Sequence, residues 1–239
     1  MRDVDLEREK LFENAKNSGE GVRQAQSKFY WAVELSSKKH HEKVMHEIRN
    51  KRVLEIGCSN GSAAAEYAES SRYYLGVDIS DLAIEIAKER NLPNAEFVCT
   101  DGHHLPADDQ TYDIVIVNSL LHHLDLQQAF TEINRVLVPR GGLIFREPLG
   151  TNPLFQLYRL LTPSARTPDE KPFDFSDLKL MQSYFQLKDH DFYGFSNLLS
   201  AFVRNQRLRS VLTVVDRILA RTPLKYFYWQ FAGIAKKLN

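Results

Sequence analysis

A doubly wound α/β domain built on a mostly parallel sheet is the fold class this sequence predicts, and three observations carry that expectation. Short apolar runs recur along the first 150 residues, each ending in a polar or glycine-containing loop. Segments of helical period separate them. A glycine turn joins the first apolar run directly to an alanine-rich stretch. Strand and helix alternating at short spacing demand a parallel sheet with right-handed crossovers.

The elements follow in order. Val53 to Ile56 is apolar and too short for a helix, so it reads as a buried strand. Gly57 and Gly61 bound a turn, and Ala63 to Ala68 reads as the first core helix. Tyr73 to Val77 is the second strand, ending at Asp78. Ser80 is placed to cap a helix through Ile84, Ile86 and Ala87, which ends near Asn91 to Pro93. Ala95 to Thr100 is the third strand, closing on Asp101 and Gly102. Tyr112 to Val117 suits a strand buried on both faces. Asp125, with Gln128 three residues on, caps a helix that carries Phe130, Ile133, Val136 and Leu137 on one side. Pro139 to Gly142 reads as the return, and Leu143 to Phe145 as the fifth strand.

The first turn has a chemical meaning. Strand, glycine turn and helix bring bare backbone amides and a helix N-terminus close to a ligand. Asp78 follows Gly57 by 21 residues, the spacing at which a carboxylate accepts hydrogen bonds from both hydroxyls of a nucleoside ribose. The nicotinamide fingerprint G-x-G-x-x-G requires glycine at 57, 59 and 62; Ser59 and Ser62 stand at two of these. A nucleotide-dependent oxidoreductase is therefore disfavoured.

Glu55, Gly57 and Gly61 form E-x-G-x-x-x-G, which resembles the first motif of the class I S-adenosylmethionine-dependent methyltransferases, with Ser59 where that family usually has another glycine. The resemblance runs from about Val53 to Glu147 and includes Asp78, Asp101-Gly102, Asn118 to Leu124, and the Pro139 to Gly142 turn. It implies a Rossmann-like, seven-stranded sheet, mostly parallel, whose last strand is antiparallel; Phe185 to Phe195 and Tyr226 to Lys236 fit the sixth and seventh strands. It further implies S-adenosylmethionine as cofactor. Asp78, followed by Ile79, would hold the ribose; Asp101 would accept from the adenine amino group, and Gly102 would leave room for the ring. The backbone of Gly57, Cys58, Ser59 and Gly61 would face the methionine portion. Glu55 would order the loop from beneath, and Asn118 would stand at the end of strand four. Ordinary roles stay open for two of them: Asp78 as a helix cap, Asp101 as a turn residue.

Composition fits one domain. The chain has 239 residues, 43% of them hydrophobic, enough for a sizeable core. No apolar run of about 18 residues is present, so no membrane span is expected. Met1 to Lys10 is charged throughout and unlike a secretory leader. Cys58 and Cys99 read as small core residues, in keeping with a reducing cytoplasm. Net charge is zero, yet from Ser200 onward there are eight basic residues and one acid, so residues 1–199 carry the compensating negative charge. A neutral pI near 7.1 argues against a nucleic-acid partner.

The acceptor is approached by elimination. Neither cysteine is placed for attack on a pyrimidine, and Asn118-Ser119 lacks the Asn-Pro-Pro-aromatic pattern of base N-methylation. No carboxylate cluster marks a metal, and the adjacent His103 and His104 diverge on a loop, so no metal site is expected. An oxygen or nitrogen of a small metabolite remains, its proton removed as it attacks the methyl group in line. His122 is the candidate base, because imidazole exchanges protons near neutral pH; His123 would point away, into the following helix. Glu147, ending strand five, is a second catalytic candidate, for contact with the acceptor.

One domain with four parts is expected: a helical N-terminal cap over 1–50, a cofactor-binding core over 51–147, a lid insertion over 148–175, and a C-terminal part over 176–239. Tyr30 in the cap either joins the core or closes over the cofactor. Arg159 and Arg166 in the lid could recognise an anionic acceptor. Within the last part, 198–221 reads as an amphipathic basic helix whose stripe of Leu208, Val211, Leu212, Val215, Ile218 and Leu219 packs on the domain or, less simply, meets a lipid-like substrate or membrane surface. Besides the oxidoreductase, a catalytically silent methyltransferase-like binding domain stays open. Oligomeric state is not legible.

Overall fold

A computed structural model of the chain describes residues 5–18, 27–161, 171–195 and 205–238. Its centre is a seven-stranded sheet of order β3-β2-β1-β4-β5-β7-β6. The strands are β1 (Arg52–Ile56), β2 (Tyr73–Asp78), β3 (Ala95–Cys99), β4 (Tyr112–Asn118), β5 (Leu137–Pro148), β6 (Phe185–Tyr193) and β7 (Gln230–Lys237). The first five are parallel, and β7 runs antiparallel to both β5 and β6. The expected fold class is the one found. Strand order reverses between β1 and β4, and ligands of open α/β sheets bind at the carboxyl ends beside such a point.

Helices cover both faces. On one side α2 (Ser27–Glu47), α3 (Ala64–Ser70) and α4 (Asp81–Lys88) sit over Val53, Tyr74, Ile114 and Ile144, with Val44, Ile48, Tyr67, Ala68 and Ile84 buried among them. On the other side α5 (Leu126–Val136) and α7 (Phe175–Tyr184) pack over Leu54, Val115, Val117, Leu143 and Phe145. Helix α5 buries Leu126, Ala129, Phe130, Ile133 and Val136, one stripe at helical spacing, and each large side chain contributes about 1.5–3 kcal/mol. Two expected caps form: the Ser80 hydroxyl accepts from the Ala83 amide at 3.0 Å, and Asp125 accepts from the Gln128 amide at 3.1 Å.

Most boundaries shift by a residue or two, and those of β5, β6, β7 and the basic helix have a physical reason. Strand β5 begins at Leu137, because Tyr112 pairs with Leu137 and Ile114 with Gly142; residues 138–141 form a bulge inside one strand rather than a turn before it. Arg140 has a positive φ of 63° there, and a Cβ on Gly142 would lie 2.9 Å from Ile114 Cδ1. Strand β7 begins at Gln230, not Tyr226, since Thr222 caps a 3-10 turn over Pro223–Phe227, and β6 ends at Tyr193, before the positive-φ Gly194. The basic helix is α8 (Gln206–Leu219), opened by Asn205, whose side chain accepts from the Arg207 and Leu208 amides. Its residues 198–204 of the expected span lie outside the described residues.

Two burial expectations are corrected. Cys99 is exposed, because β3 is an edge strand, whereas Cys58 is buried. The α8 stripe does not pack as a whole: Leu208, Val211 and Ile218 are 47%, 54% and 61% exposed, while Asp216, Leu219 and Ala220 turn inward. In the lid region, α6 (Pro153–Leu161) likewise exposes Leu157, Leu160 and Leu161. No helix among the described residues is long and apolar enough to cross a membrane.

Candidate active site

The loop after β1 is built on its own amides. Gly57 and Cys58 donate to the Val77 carbonyl at 2.8 and 3.0 Å, and Gly61 donates to the Cys58 carbonyl at 3.0 Å. Ser59 donates to Asp78 Oδ2 at 2.8 Å, and the Ser80 amide reaches Asp78 Oδ1 at 2.9 Å. These bonds close the turn on itself and on the end of β2, because buried N–H groups must find partners locally. Gly57 has φ 80°, and a Cβ there would meet Leu120 Cδ2 at 2.9 Å. Ser59 itself is left-handed at φ 48°, a conformation glycine adopts freely. Asp78 is thus oriented by two backbone donors at the carboxyl end of β2, beside the loop. Ile79 follows it half-buried, its carbonyl 3.5 Å from the Cys99 thiol.

Helix α1 (Leu6–Asn17) lies across this loop. Asn17 Oδ1 accepts from the Ser59 hydroxyl at 3.4 Å, Asn14 meets the Ser80 hydroxyl and Asp81, and Lys10 pairs with Asp81 at 2.9 Å. At its other end Glu9, 8% exposed, pairs with His123 at 3.0 Å. His123 therefore points at α1, not into the following helix as expected. One short helix spans from the end of β4 to the ends of β1 and β2.

Beneath the loop runs a buried polar chain. His40 Nε2 and Asn118 Oδ1 are 2.8 Å apart, Asn118 reaches Glu55, and the Tyr74 hydroxyl donates to Glu55 Oε2 at 2.5 Å. Burial lifts the Glu55 carboxyl to about 7 against the pull of the Tyr74 and Asn118 hydrogen bonds. Burial, then the nearby Arg146 charge, lowers His40 to about 4, so its ring is neutral and Nε2 donates to Asn118. Arg146 donates to Ser37 Oγ at 2.7 Å, and its Nε has no partner among the described residues. Glu55 and Asn118 form the floor of the site.

On the opposite face of the sheet, His122 Nδ1 lies 2.7 Å from Glu147 Oε2, and both side chains are buried. Glu147 Oε1 accepts from the Leu120 and Leu121 amides, each at 2.9 Å. Two N–H donors on one oxygen fit a carboxylate, which in turn places the imidazole proton on Nδ1 and leaves Nε2 as the basic nitrogen. The two catalytic candidates are thereby brought together. Glu147 is fully buried, its carboxylate held between His122 and the Leu120 and Leu121 amides.

The remaining candidates lie around this rim and outside it. Asp101 Oδ1 accepts from the His103 and His104 amides at 2.7 and 3.0 Å, the turn role left open above. Gly102 is buried, and a Cβ there would meet Leu124 at 3.0 Å and Ile56 at 3.2 Å, so its lack of a side chain serves packing of the core. His103 Nε2 accepts from the Asp125 amide at 3.0 Å, tying the β3 loop to the α5 cap. Burial pushes the Cys58 thiol up, so it is no nucleophile. The Tyr30 side chain and all of Arg166 lie outside the described residues; Arg159 is on α6. Among the described residues no group of three or more His, Cys, Asp or Glu is arranged around a metal position.

The methyltransferase domain family matches residues 54–145, from β1 into β5. This segment is similar to methyltransferase domains. Similar proteins carry that name too. A phthiotriol/phenolphthiotriol dimycocerosates methyltransferase of Mycobacterium ulcerans is 31% identical over 45% of this chain and 42% of its own length. A ubiquinone biosynthesis O-methyltransferase of Coxiella burnetii is 29% identical over 48% and 50%, and a fatty-acid O-methyltransferase of Mycolicibacterium smegmatis 32% identical over 45% and 41%. The matches thus span half or less of those relatives. Among solved structures, geranyl diphosphate C-methyltransferase of Streptomyces coelicolor superposes with TM-score 0.63 at 12% identity, over 86% of this chain and 80% of that one. The cyclase SpnF superposes with TM-score 0.57 at 21% identity, over 83% and 80%. The chain therefore shares its fold with proteins of more than one chemistry, and a fold alone does not settle what a site does.

Proposed function

We propose that this chain transfers the methyl group of S-adenosylmethionine to an oxygen or nitrogen of a small-molecule acceptor. The observation that carries the proposal is Asp78, a carboxylate oriented by the Ser59 and Ser80 amides at the carboxyl end of β2, within a segment that matches the methyltransferase domain family. Its position suits the two ribose hydroxyls of the donor, and Asn14 and Asn17 of α1 close over the same rim. The donor supplies a sulfonium methyl, which is already electrophilic.

The chain's own residues then have two tasks. The acceptor oxygen or nitrogen must be aligned, and its proton must be taken as the new bond to carbon forms and the carbon–sulfur bond breaks. His122 Nε2 takes the proton, and Glu147 Oε2 holds Nδ1–H and stabilises the resulting imidazolium. The relatives named for ubiquinone biosynthesis and for fatty acids are O-methyltransferases, which supports oxygen over nitrogen. The exposed apolar residues of α6 and α8 support an acceptor with an apolar portion.

The test is transfer of isotopically labelled methyl from S-adenosylmethionine across a panel of hydroxylated and amino metabolites, long-chain hydroxy acids and phenols included. Labelled product that disappears in His122→Ala supports the proposal. Donor binding without product across the panel would favour a silent binding domain, and tight NAD(P) binding without donor binding would favour an oxidoreductase.

A further inference from the structure

Among the described residues, nine of the eleven large apolar side chains exposed to solvent lie in α6, in α8 and in the 3-10 turn Pro223–Phe227 that follows α8. The Asn152 side chain at the start of α6 donates to the Phe227 carbonyl, which ties α6 to that turn. Because β7 runs antiparallel to β5, the chain leaves β5 for α6 and enters β7 from the turn at one end of the sheet. At the same end β2 finishes in Asp78 and β4 leads to His122.

The outward side of α8 is a single row. Alternate steps of four and three residues bring Arg207, Val211, Val214, Ile218 and Arg221 into line, and Ala220 keeps helical backbone angles, so Arg221 continues the row. Val211, Val214 and Ile218 are each more than half exposed, and both arginines are exposed. The row thus has an apolar centre and a cation at either end. Acids are kept out of it: Asp216 is the single acid from Ser200 to Asn239, and it faces inward at 4% exposed. On α6, Leu157, Leu160 and Leu161 stand three and four residues apart on one exposed face. The stretch from Leu149 to Pro168 that contains them also holds no acid.

This pattern decides between occupants. A second copy laid on the α8 row, parallel or antiparallel, would set arginine against arginine at both ends. A bilayer with acidic headgroups accepts both features at once, apolar side chains in the interfacial layer and guanidinium groups at the phosphates. At 14 residues α8 is too short to span and would lie in the plane of the interface.

We propose that α8 and α6 dock this chain on an anionic lipid bilayer. Val211, Val214, Ile218 and the α6 leucines enter the interface, and Arg207 and Arg221 meet the acidic headgroups. The docking goes beyond methyl transfer and stands without it.

Flotation of the full chain tests the surface, with vesicles of phosphatidylcholine alone or mixed with an equal amount of phosphatidylglycerol. Binding is expected on the mixed vesicles, at least about tenfold tighter than on the neutral ones and weakened by salt. Arg207→Gln/Arg221→Gln should weaken it roughly ten- to thirtyfold, about fivefold per arginine. Val211→Asp/Ile218→Asp on α8 and Leu160→Asp/Leu161→Asp on α6 should each weaken it by at least about tenfold. Leu238, exposed just past the far end of β7, is the control, and Leu238→Asp should change binding less than about twofold. Hydrogen exchange on the unmodified chain is the second measurement: amides of 153–161 and 206–219 should slow with mixed vesicles and not with neutral ones. Absence of flotation, equal binding to both vesicles, or variants that float like the wild type overturn the proposal, as does unchanged exchange in both helices. A dimer in lipid-free sedimentation that Val211→Asp/Ile218→Asp dissociates, in a chain that ignores vesicles, would assign the face to a second copy instead.

Discussion

His122 Nδ1 sits 2.7 Å from Glu147 Oε2, and the other oxygen of that carboxylate is held by the Leu120 and Leu121 amides. His122 is therefore oriented by a group that is itself fixed by the backbone of the same loop. A displacement of Glu147 is transmitted to the imidazole and to the turn together.

That coupling makes Glu147→Gln informative. The amide keeps one oxygen for the two backbone donors but offers N–H to His122 Nδ1, which forces the imidazole proton onto Nε2. Turnover should fall by about 10²–10⁴ with donor affinity nearly unchanged. Glu147→Ala should also cost about 2–5 kcal/mol of stability, since two amides and an imidazole lose their partner in a buried site. Steady-state kinetics and thermal melting separate the two effects, and wild-type turnover in Glu147→Gln would reduce the pair to a structural role.

Helix α1 offers a second prediction. Asn14 and Asn17 reach Ser80 and Ser59, which flank Asp78, so on the proposed reading α1 would close the donor rim. Asn14→Ala/Asn17→Ala should raise the S-adenosylhomocysteine Kd by roughly three- to thirtyfold, each lost hydrogen bond being worth about 0.5–1.5 kcal/mol. Binding equal to wild type would show that α1 rests on the loop without shaping the site.

The polar floor predicts opposed pH dependences. Glu55 is raised to about 7, so relative to the unfolded chain it contributes stability below about 4.5 that is lost as pH rises through 7. His40 is lowered to about 4, so it contributes stability above about 6.5 that is lost as pH falls through 4. Between about 4.5 and 6.5 the two slopes cancel in part. Compared with wild type, Glu55→Gln should show stability rising more steeply with pH in that window, and His40→Gln should show it falling. Each effect is at most about 3 kcal/mol. Urea melts at half-unit pH steps measure both, and parallel curves for all three proteins would remove Glu55 and His40 from the account.

Much of the sheet was legible because its determinants are local. Val53–Ile56 and Tyr112–Val117 announce buried parallel strands, and Ser80 and Asp125 sit where a cap must. The site was legible only as a set of separate residues. His122 and Glu147 are 25 positions apart, Asn14 and Ser80 66, and His40 and Asn118 78, so no spacing rule could pair them. The polar run of α1 carried no sign of its place over the loop, since its contacts are hydrogen bonds and ion pairs rather than an apolar stripe. The bulge at residues 138–141 was hidden for the opposite reason: Pro139 and two glycines mark a turn equally well, and only pairing with β4 shows that the strand continues.

The central claim is that Asp78 and its loop hold the nucleoside of a methyl donor. The most direct measurement is calorimetric titration of S-adenosylhomocysteine, with NAD(H) as the control, into the wild type and Asp78→Asn. Asparagine keeps an acceptor oxygen for one of the two loop amides but removes the charge that makes each ribose hydrogen bond worth about 1.5–3 rather than about 0.5–1.5 kcal/mol. The account predicts saturable binding of S-adenosylhomocysteine by the wild type, weakened roughly ten- to several hundredfold in Asp78→Asn, and no comparable NAD(H) binding. Unchanged affinity in the variant, or tighter binding of NAD(H) than of S-adenosylhomocysteine by the wild type, would contradict it.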